Sequence, residues 1–259
     1  MDELRWVVFI LKIVLSPVLI ACATLIGRRW GPGVSGWFTG FPFVSAPISI
    51  IFALQNGFGF AADAAGGTIG GQTCVCVFAI VYFLTAKKWK WYFCLAASLA
   101  VFLGAAWLWK SVPLGLSGSA IGLCLVAILG LFLLRGRDAA KTKTFSKRWD
   151  LPLRMSASCL VVLLVTGFSS IAGPLWSGIF SAFPVFGLIL ATFTHIEDGK
   201  EAVRPLLRGY IFGSFGIAAF YALIASLLPV LQSLWIYAVA GVVTMGLNAL
   251  TLRLLQKSG

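Results

Sequence analysis

Few residues in this chain could do chemistry, because its 259 positions hold only eight acidic side chains and one histidine. Asp2 and Glu3 stand at the N-terminus and Asp138 and Asp150 in a basic stretch, which leaves Asp63, Glu197, Asp198 and Glu201. Asp63 sits among alanines and glycines in an apolar run. A carboxylate inside a membrane segment is a default candidate to carry an ion or proton, and one in the first turns of a helix also stabilises the helix dipole; both roles stay open. His195 ends another apolar run, where it either titrates near neutrality as a functional group or is a solvated interfacial histidine. The stretch HIEDGKEAVRPLLR follows, in which Glu201 reaches Arg204 or Arg208 at helical spacing. It reads as an ion-pair gate or as a solvated turn. Asp63, His195, Glu201 and Arg204 are thus the ion-coupling or gate residues, with a proton or sodium ion as the coupling ion.

A second set combines hydroxyls with helix breakers. Ser35, Thr39, Pro42 and Ser45 fall between Gly31 and Gly57, and Ser177, Ser181 and Pro184 between Gly173 and Gly199. Proline removes a backbone donor and obstructs the preceding turn, so each stretch is expected to form a kinked or broken helix. A broken half-helix offers amide groups to an anionic or hydroxyl-bearing solute and carbonyls to a cation. The seven residues are the substrate-binding candidates; close packing at kinks is the plainer reading. No nucleophile–base set, metal-ligand cluster or nucleotide fingerprint is present, and AAGGTIGG lacks the Gly-Lys-Ser/Thr of a phosphate loop. The expectation is a protein that is not an enzyme, with no cofactor and no metal.

The elements that must position these residues follow from composition. The chain is 60% apolar and 11% charged with a mean hydropathy of +0.98, the profile of a polytopic membrane protein. A spanning helix needs about 20 apolar residues, and nine segments qualify: 5–26, 33–54, 61–85, 91–109, 117–134, 153–171, 174–195, 203–227 and 230–253. Alternating strands are missing, which disfavours a barrel. The first segment lacks the basic start and cleavage site of a signal peptide. Six cysteines all lie in apolar segments, as small hydrophobes. Tryptophans at segment ends, Trp109 among them, mark the membrane interface.

The net charge of +12 is distributed in a way that speaks against nucleic acid. Arg28, Arg29, Lys87, Lys88, Lys90, seven basic residues between Arg135 and Arg154, then Lys200, Arg204, Arg208, Arg253 and Lys257 fall on alternate connections. Basic loops face the cytoplasm, so the N-terminus is expected outside and the C-terminus inside.

The two proline-bearing stretches also match each other. At one offset, Gly31 falls on Gly173, Ser35 on Ser177, Phe41 on Phe183, Pro42 on Pro184, Gly57 on Gly199, Gly67 on Gly209 and Gly71 on Gly213. This reads as an internal repeat of helices 1–4 (residues 1–110) and 6–9 (152–259), joined by helix 5 and a basic loop (111–151) in one integral membrane domain. An odd linker inverts the second copy, the architecture of many secondary transporters. The fold class is therefore all-α polytopic, with two inverted four-helix repeats. The glycine pairs at four-residue spacing are expected to let helices approach closely.

Phe183, Pro184, Phe186, Leu188 and Ile189, followed by Gly199, Glu201, Ala202 and Arg204, resemble the GlpM family of small bacterial inner-membrane proteins. The resemblance covers 153–255 and more faintly 5–109, where Gly59, Phe60 and Ala62 replace Glu201, Ala202 and Arg204. It implies a four-helix unit in the bacterial inner membrane, associated with alginate production and lacking an assigned activity. The leading expectation is a multi-pass secondary transporter of a small anion or polyhydroxyl compound, working by alternating access. Its partners would be lipids and the solute, as monomer or homodimer, and not nucleic acid. The alternatives are a membrane scaffold or a lipid-linked sugar flippase.

Overall fold

The computed structural model describes residues 2–112, 114–136, 149–171 and 183–257. Ser177 and Ser181 lie outside them. The described chain is helical, with no strand, in nine elements: α1 (Asp2–Trp30), α2 (Pro32–Phe38), α3 (Ser45–Ala86), α4 (Trp91–Ser111), α5 (Leu116–Leu133), α6 (Asp150–Ile171), α7 (Val185–Glu197), α8 (Lys200–Leu231) and α9 (Trp235–Lys257). Six of these, α1, α3, α4, α5, α8 and α9, are long and apolar enough to cross a membrane. Their outward residues, such as Leu125, Phe132, Val230 and Val242, are large and apolar, which suits a lipid surround.

Two of the nine expected segments are redrawn. The single helix expected over 33–54 is broken at 39–44: α2 ends at Phe38, and α3 starts at Ser45. Pro42 lies in the gap, where its missing N–H and fixed φ cannot continue α2. In place of the expected loop at 55–60, α3 runs on to Ala86 and bends only at Gly57, at φ 87° and ψ 166°. Gly199, at φ 81° and ψ 175°, makes the same turn between α7 and α8. Only glycine adopts that region without strain. A Cβ at either glycine would meet nothing within 4 Å, so the backbone angle, not space, demands glycine.

The centre is a crossing of α3 and α8, which run in opposite directions. Residues 74–86 share a buried cluster with 203–211, while 53–69 share one with 220–228. At the crossing, Gln72 Nε2 donates to Ser214 Oγ at 2.8 Å, and that hydroxyl donates to the Tyr210 carbonyl. α1 and α6 likewise pack in opposite directions, Arg28 near the end of one meeting Asp150 at the start of the other. α2 lies on α8 with backbones in contact: a Cβ on Gly36 would strike the Leu206 carbonyl, and one on Gly209 the carbonyl of Gly33. Gly213 meets Gly40 in the same way. The expected close packing therefore holds for Gly209 and Gly213, whereas a Cβ on Gly67 meets no described atom within 4 Å. In α3 the tight contact is at Gly70, which with Gly122 of α5 brackets the Trp109 indole. Trp109 is a packing residue between helices and not only an interface marker.

Candidate functional site

Breaking the chain at 39–44 leaves a gap that the other described helices do not fill. A cavity of about 200 Å³ occupies it, between the α1/α6 pair and the α3/α8 crossing. Its floor is the crossing itself, through Thr68, Gln72, Val75, Tyr210 and Ile217. The broken stretch supplies Thr39, Phe41 and Val44, and Ser45 opens the next helix. From the other side come Phe183, Pro184 and Phe186, with Ser16 and Val162 closing the wall. Lining residues recur at the offset that separates Gln72 from Ser214, 142 positions: Phe41 with Phe183, Val44 with Phe186, Thr68 with Tyr210, Val75 with Ile217.

The polar part of the lining is neutral. Thr39 Oγ1 donates to the Gly36 carbonyl at 2.6 Å and Thr68 Oγ1 to the Ala64 carbonyl at 2.9 Å. With its amide nitrogen engaged by Ser214, Gln72 keeps Oε1 as an acceptor. No described lining residue carries a formal charge, so an ion placed among them would lie in an apolar setting without a counter-charge, at a high desolvation cost.

Of the expected substrate residues, Thr39, Ser45 and Pro184 line the cavity. Pro42 sits between the lining residues Phe41 and Val44 and makes the break rather than a wall. Ser35 does not reach it: buried, it donates to the Ala23 carbonyl at 2.7 Å and ties α2 to α1. The cavity residues that the sequence reading passed over are Ser16, Thr68, Gln72 and Tyr210. Gln72 was within reach, because the repeat register pairs it with Ser214, a polar pair in two apolar helices.

The expected ion residues are scattered. Asp63 is exposed on the flank of α3 and takes no part in the lining. His195 ends α7 with Nδ1 3.5 Å from the buried Tyr82 hydroxyl. Glu201 is exposed, and Arg204 lies beside Gly136. Three ion pairs join the described ends of α1, α6 and α7. Asp150 accepts from Arg28 at 2.6 Å and from Arg154 at 2.6 Å, and Arg154 also reaches Glu197 at 2.7 Å. Glu197, one turn before Glu201, pairs across helices with Arg154 of α6. Glu201, past the turn at Gly199, is exposed. Asp150 had been set aside as part of the basic loop; its spacing of four from Arg154 was the available signal.

No group of three or more His, Cys, Asp or Glu residues able to hold a metal occurs among the described residues. Asn248 is fully buried, with its side-chain amide against Gly216 and its backbone carbonyl accepting from Trp37 Nε1 at 3.1 Å. No family model, curated protein or solved structure matches the chain.

Proposed function

We propose that this protein is a secondary transporter of a small solute, working by alternating access between two inverted four-helix repeats joined by α5. The observation that carries this reading is the cavity: its walls are built from positions that recur at one sequence offset, at the crossing of two oppositely directed helices related by that same offset. Two helices related by a two-fold axis in the membrane plane run in opposite directions and meet at the axis. Gln72 and Ser214 fit that geometry, as do the packing of α1 on α6 and the matched turns at Gly57 and Gly199. A solute site at the axis, beside broken helices, is what such repeats provide. Segment 153–255 reads on this view as a GlpM-like unit, in a bacterial inner membrane with the N-terminus periplasmic and the C-terminus cytoplasmic.

The lining supports one part of the expected substrate class over the other. Hydroxyl and amide groups without charge suit a polyhydroxyl or other neutral solute, and an anion finds no cationic partner there. A proven ligand cavity of about 150 Å³ holds one benzene, so a solute of roughly one ring fits.

Binding tests this directly. The purified full-length protein in detergent is heated with glycerol, xylitol, myo-inositol, gluconate or acetate over a concentration series. A ligand of the folded state raises the melting temperature by mass action, by about 2.7 kcal/mol at a hundred times its Kd. A saturable rise with a neutral polyol, lost in Val75→Trp, supports the reading; a rise with gluconate or acetate instead moves the substrate class to anions. If no solute gives a saturable shift that Val75→Trp removes, the cavity is not a solute site and the scaffold or flippase reading takes its place.

A further inference from the structure

The turn from α3 into α4 combines charge and aromatic surface as no other described connection does. It reads Lys87-Lys88-Trp89-Lys90, and α4 begins Trp91-Tyr92-Phe93. All seven residues are exposed, Trp89 by 53% and Phe93 by 54%. The rings pack on one another and not into the core: Trp89 meets Phe93 edge-on at 6.1 Å, and Tyr92 lies 4.6 Å from Phe93. The lysines meet no acid. No Asp or Glu occurs between Asp63 and Asp138, and Lys87, Lys88 and Lys90 form no ion pair with a described residue. Lys87 Nζ stands 4.6 Å from the centroid of the Phe83 ring, a contact that holds its ammonium on the apolar end of α3. At the end of α1 and the start of α6, by contrast, Arg28 and Arg154 share the carboxylate of Asp150.

We propose that the α3–α4 turn is a binding surface for anionic phospholipid, its lysines on the headgroup phosphates and its rings seated where headgroups meet acyl chains. The inference is independent of any solute or transport cycle. α4 is long and apolar enough to cross a membrane, so a turn at its start lies at headgroup depth. Tryptophan and tyrosine favour that layer, with an apolar ring on one side and a polar edge on the other. Lysine reaches it along a four-carbon stem. The end of α1 repeats the pairing, with exposed Arg29 held 4.9 Å from the centroid of the exposed Trp30 ring. Ile20 and Ala23 of α1 share one buried cluster with residues 74–86 of α3, so the two basic–aromatic sites lie at the same end of the molecule. The described residues of the other turns, Val112, Leu114 and Gly115 after α4 and Gln232 to Leu234 after α8, carry no charge.

Charge and rings make separable contributions. A lysine near an anionic membrane surface strengthens binding about fivefold and loses that attraction in concentrated salt, where the screening length falls to about 3 Å. It does little for a zwitterionic headgroup. The rings act on both kinds of lipid alike. A free phosphate would meet the ammonium groups and leave the rings without a role, whereas a phospholipid engages both.

The test titrates the full-length protein, in micelles of an uncharged detergent, with dioleoyl phosphatidylglycerol, dioleoyl phosphatidylcholine or inorganic phosphate, and follows the melting temperature. A lipid that binds the folded state raises it by mass action. Phosphatidylglycerol is expected to give a saturable rise that concentrated salt removes, and phosphatidylcholine a much smaller one. The triple variant Lys87→Gln, Lys88→Gln, Lys90→Gln should bind phosphatidylglycerol weaker by on the order of a hundredfold, about fivefold for each charge, with its melting temperature in detergent alone unchanged. Equal rises with the two lipids, no rise with phosphatidylglycerol, or a full response in the triple variant would each overturn the proposal. So would a saturable rise with inorganic phosphate that the triple variant loses, which makes the turn a site for soluble anions. If the triple variant does not fold, Lys88→Gln alone decides through its fivefold loss, since that exposed side chain forms no ion pair with a described residue.

Discussion

Two turns of this molecule have the same backbone and opposite chemistry. Gln55-Asn56-Gly57 and Glu197-Asp198-Gly199 both pivot on a glycine in a conformation reserved for that residue. At the first, the exposed amides of Gln55 and Asn56 contribute no ion pair; at the second, Glu197 enters a network that joins three helices. The bend is a property of glycine and is therefore shared. The ion pairs depend on charges that only the second turn carries. Shape and chemistry are separable here: the same turn can serve a neutral end and a titratable end.

The largest effect should come from removing the acid on which the charged end depends. Asp150→Ala leaves Arg154 buried and Arg28 half-buried with their shared partner gone, and is expected to destabilise by about 3–5 kcal/mol. Gln55→Ala at the other turn should stay within about 0.5 kcal/mol. Thermal unfolding of both variants in one detergent compares the ends, and equal losses would dissolve the contrast.

The shared geometry predicts the next effect. Gly57→Ala and Gly199→Ala should each cost about 1–3 kcal/mol, because alanine is forced into a region it avoids. Since neither site crowds a Cβ, the two losses should be similar. A much larger loss at one would mean that its bend carries more than backbone strain.

Acidity sharpens the comparison further. Glu197 and Asp198 have raised pKa values, chiefly from burial, so each binds its proton more tightly folded than unfolded. Their ionised forms detract from stability near neutrality, and stability rises as pH falls through the folded values. Asp150 is lowered, and its contribution, present above the unfolded carboxylate value, is lost as pH falls further. The melting temperature should therefore pass through a maximum on the acid side of neutrality. Glu197→Gln should flatten the rise and keep the acid loss. The smallest effect is expected at Asp63: exposed and outside the cavity, Asp63→Asn should change the melting temperature by less than about 0.5 kcal/mol in equivalent stability.

Much of the helical frame was legible in the residues. Long apolar runs give long helices, and the boundaries of α4, α5 and α8 fall within a few residues of the expected segments. Pro42 announced the broken helix, and Thr39, Ser45 and Pro184 line the space it opens. That Ser35 lies away from this space was not legible, because hydroxyl spacing along a helix does not reveal which neighbour a face meets; here the neighbour is a carbonyl of α1. The exposure of Asp63 was hidden for a related reason. An apolar context in sequence does not tell a lipid-facing or interfacial flank from the bundle interior.

Composition and period by themselves determined that this chain forms apolar helices, where glycine and proline interrupt them, and which stretches echo one another. Those are local properties, set by backbone stereochemistry and the cost of exposing apolar surface. Tertiary structure alone decided that Gln72 meets Ser214, that the break at 39–44 faces Phe183 across a cavity, and that Arg154 lies between Asp150 and Glu197. Contacts between residues 43 or 142 positions apart depend on how helices rotate and cross, and helix rotation is fixed by the packing of glycines such as Gly36 and Gly209 against a partner backbone.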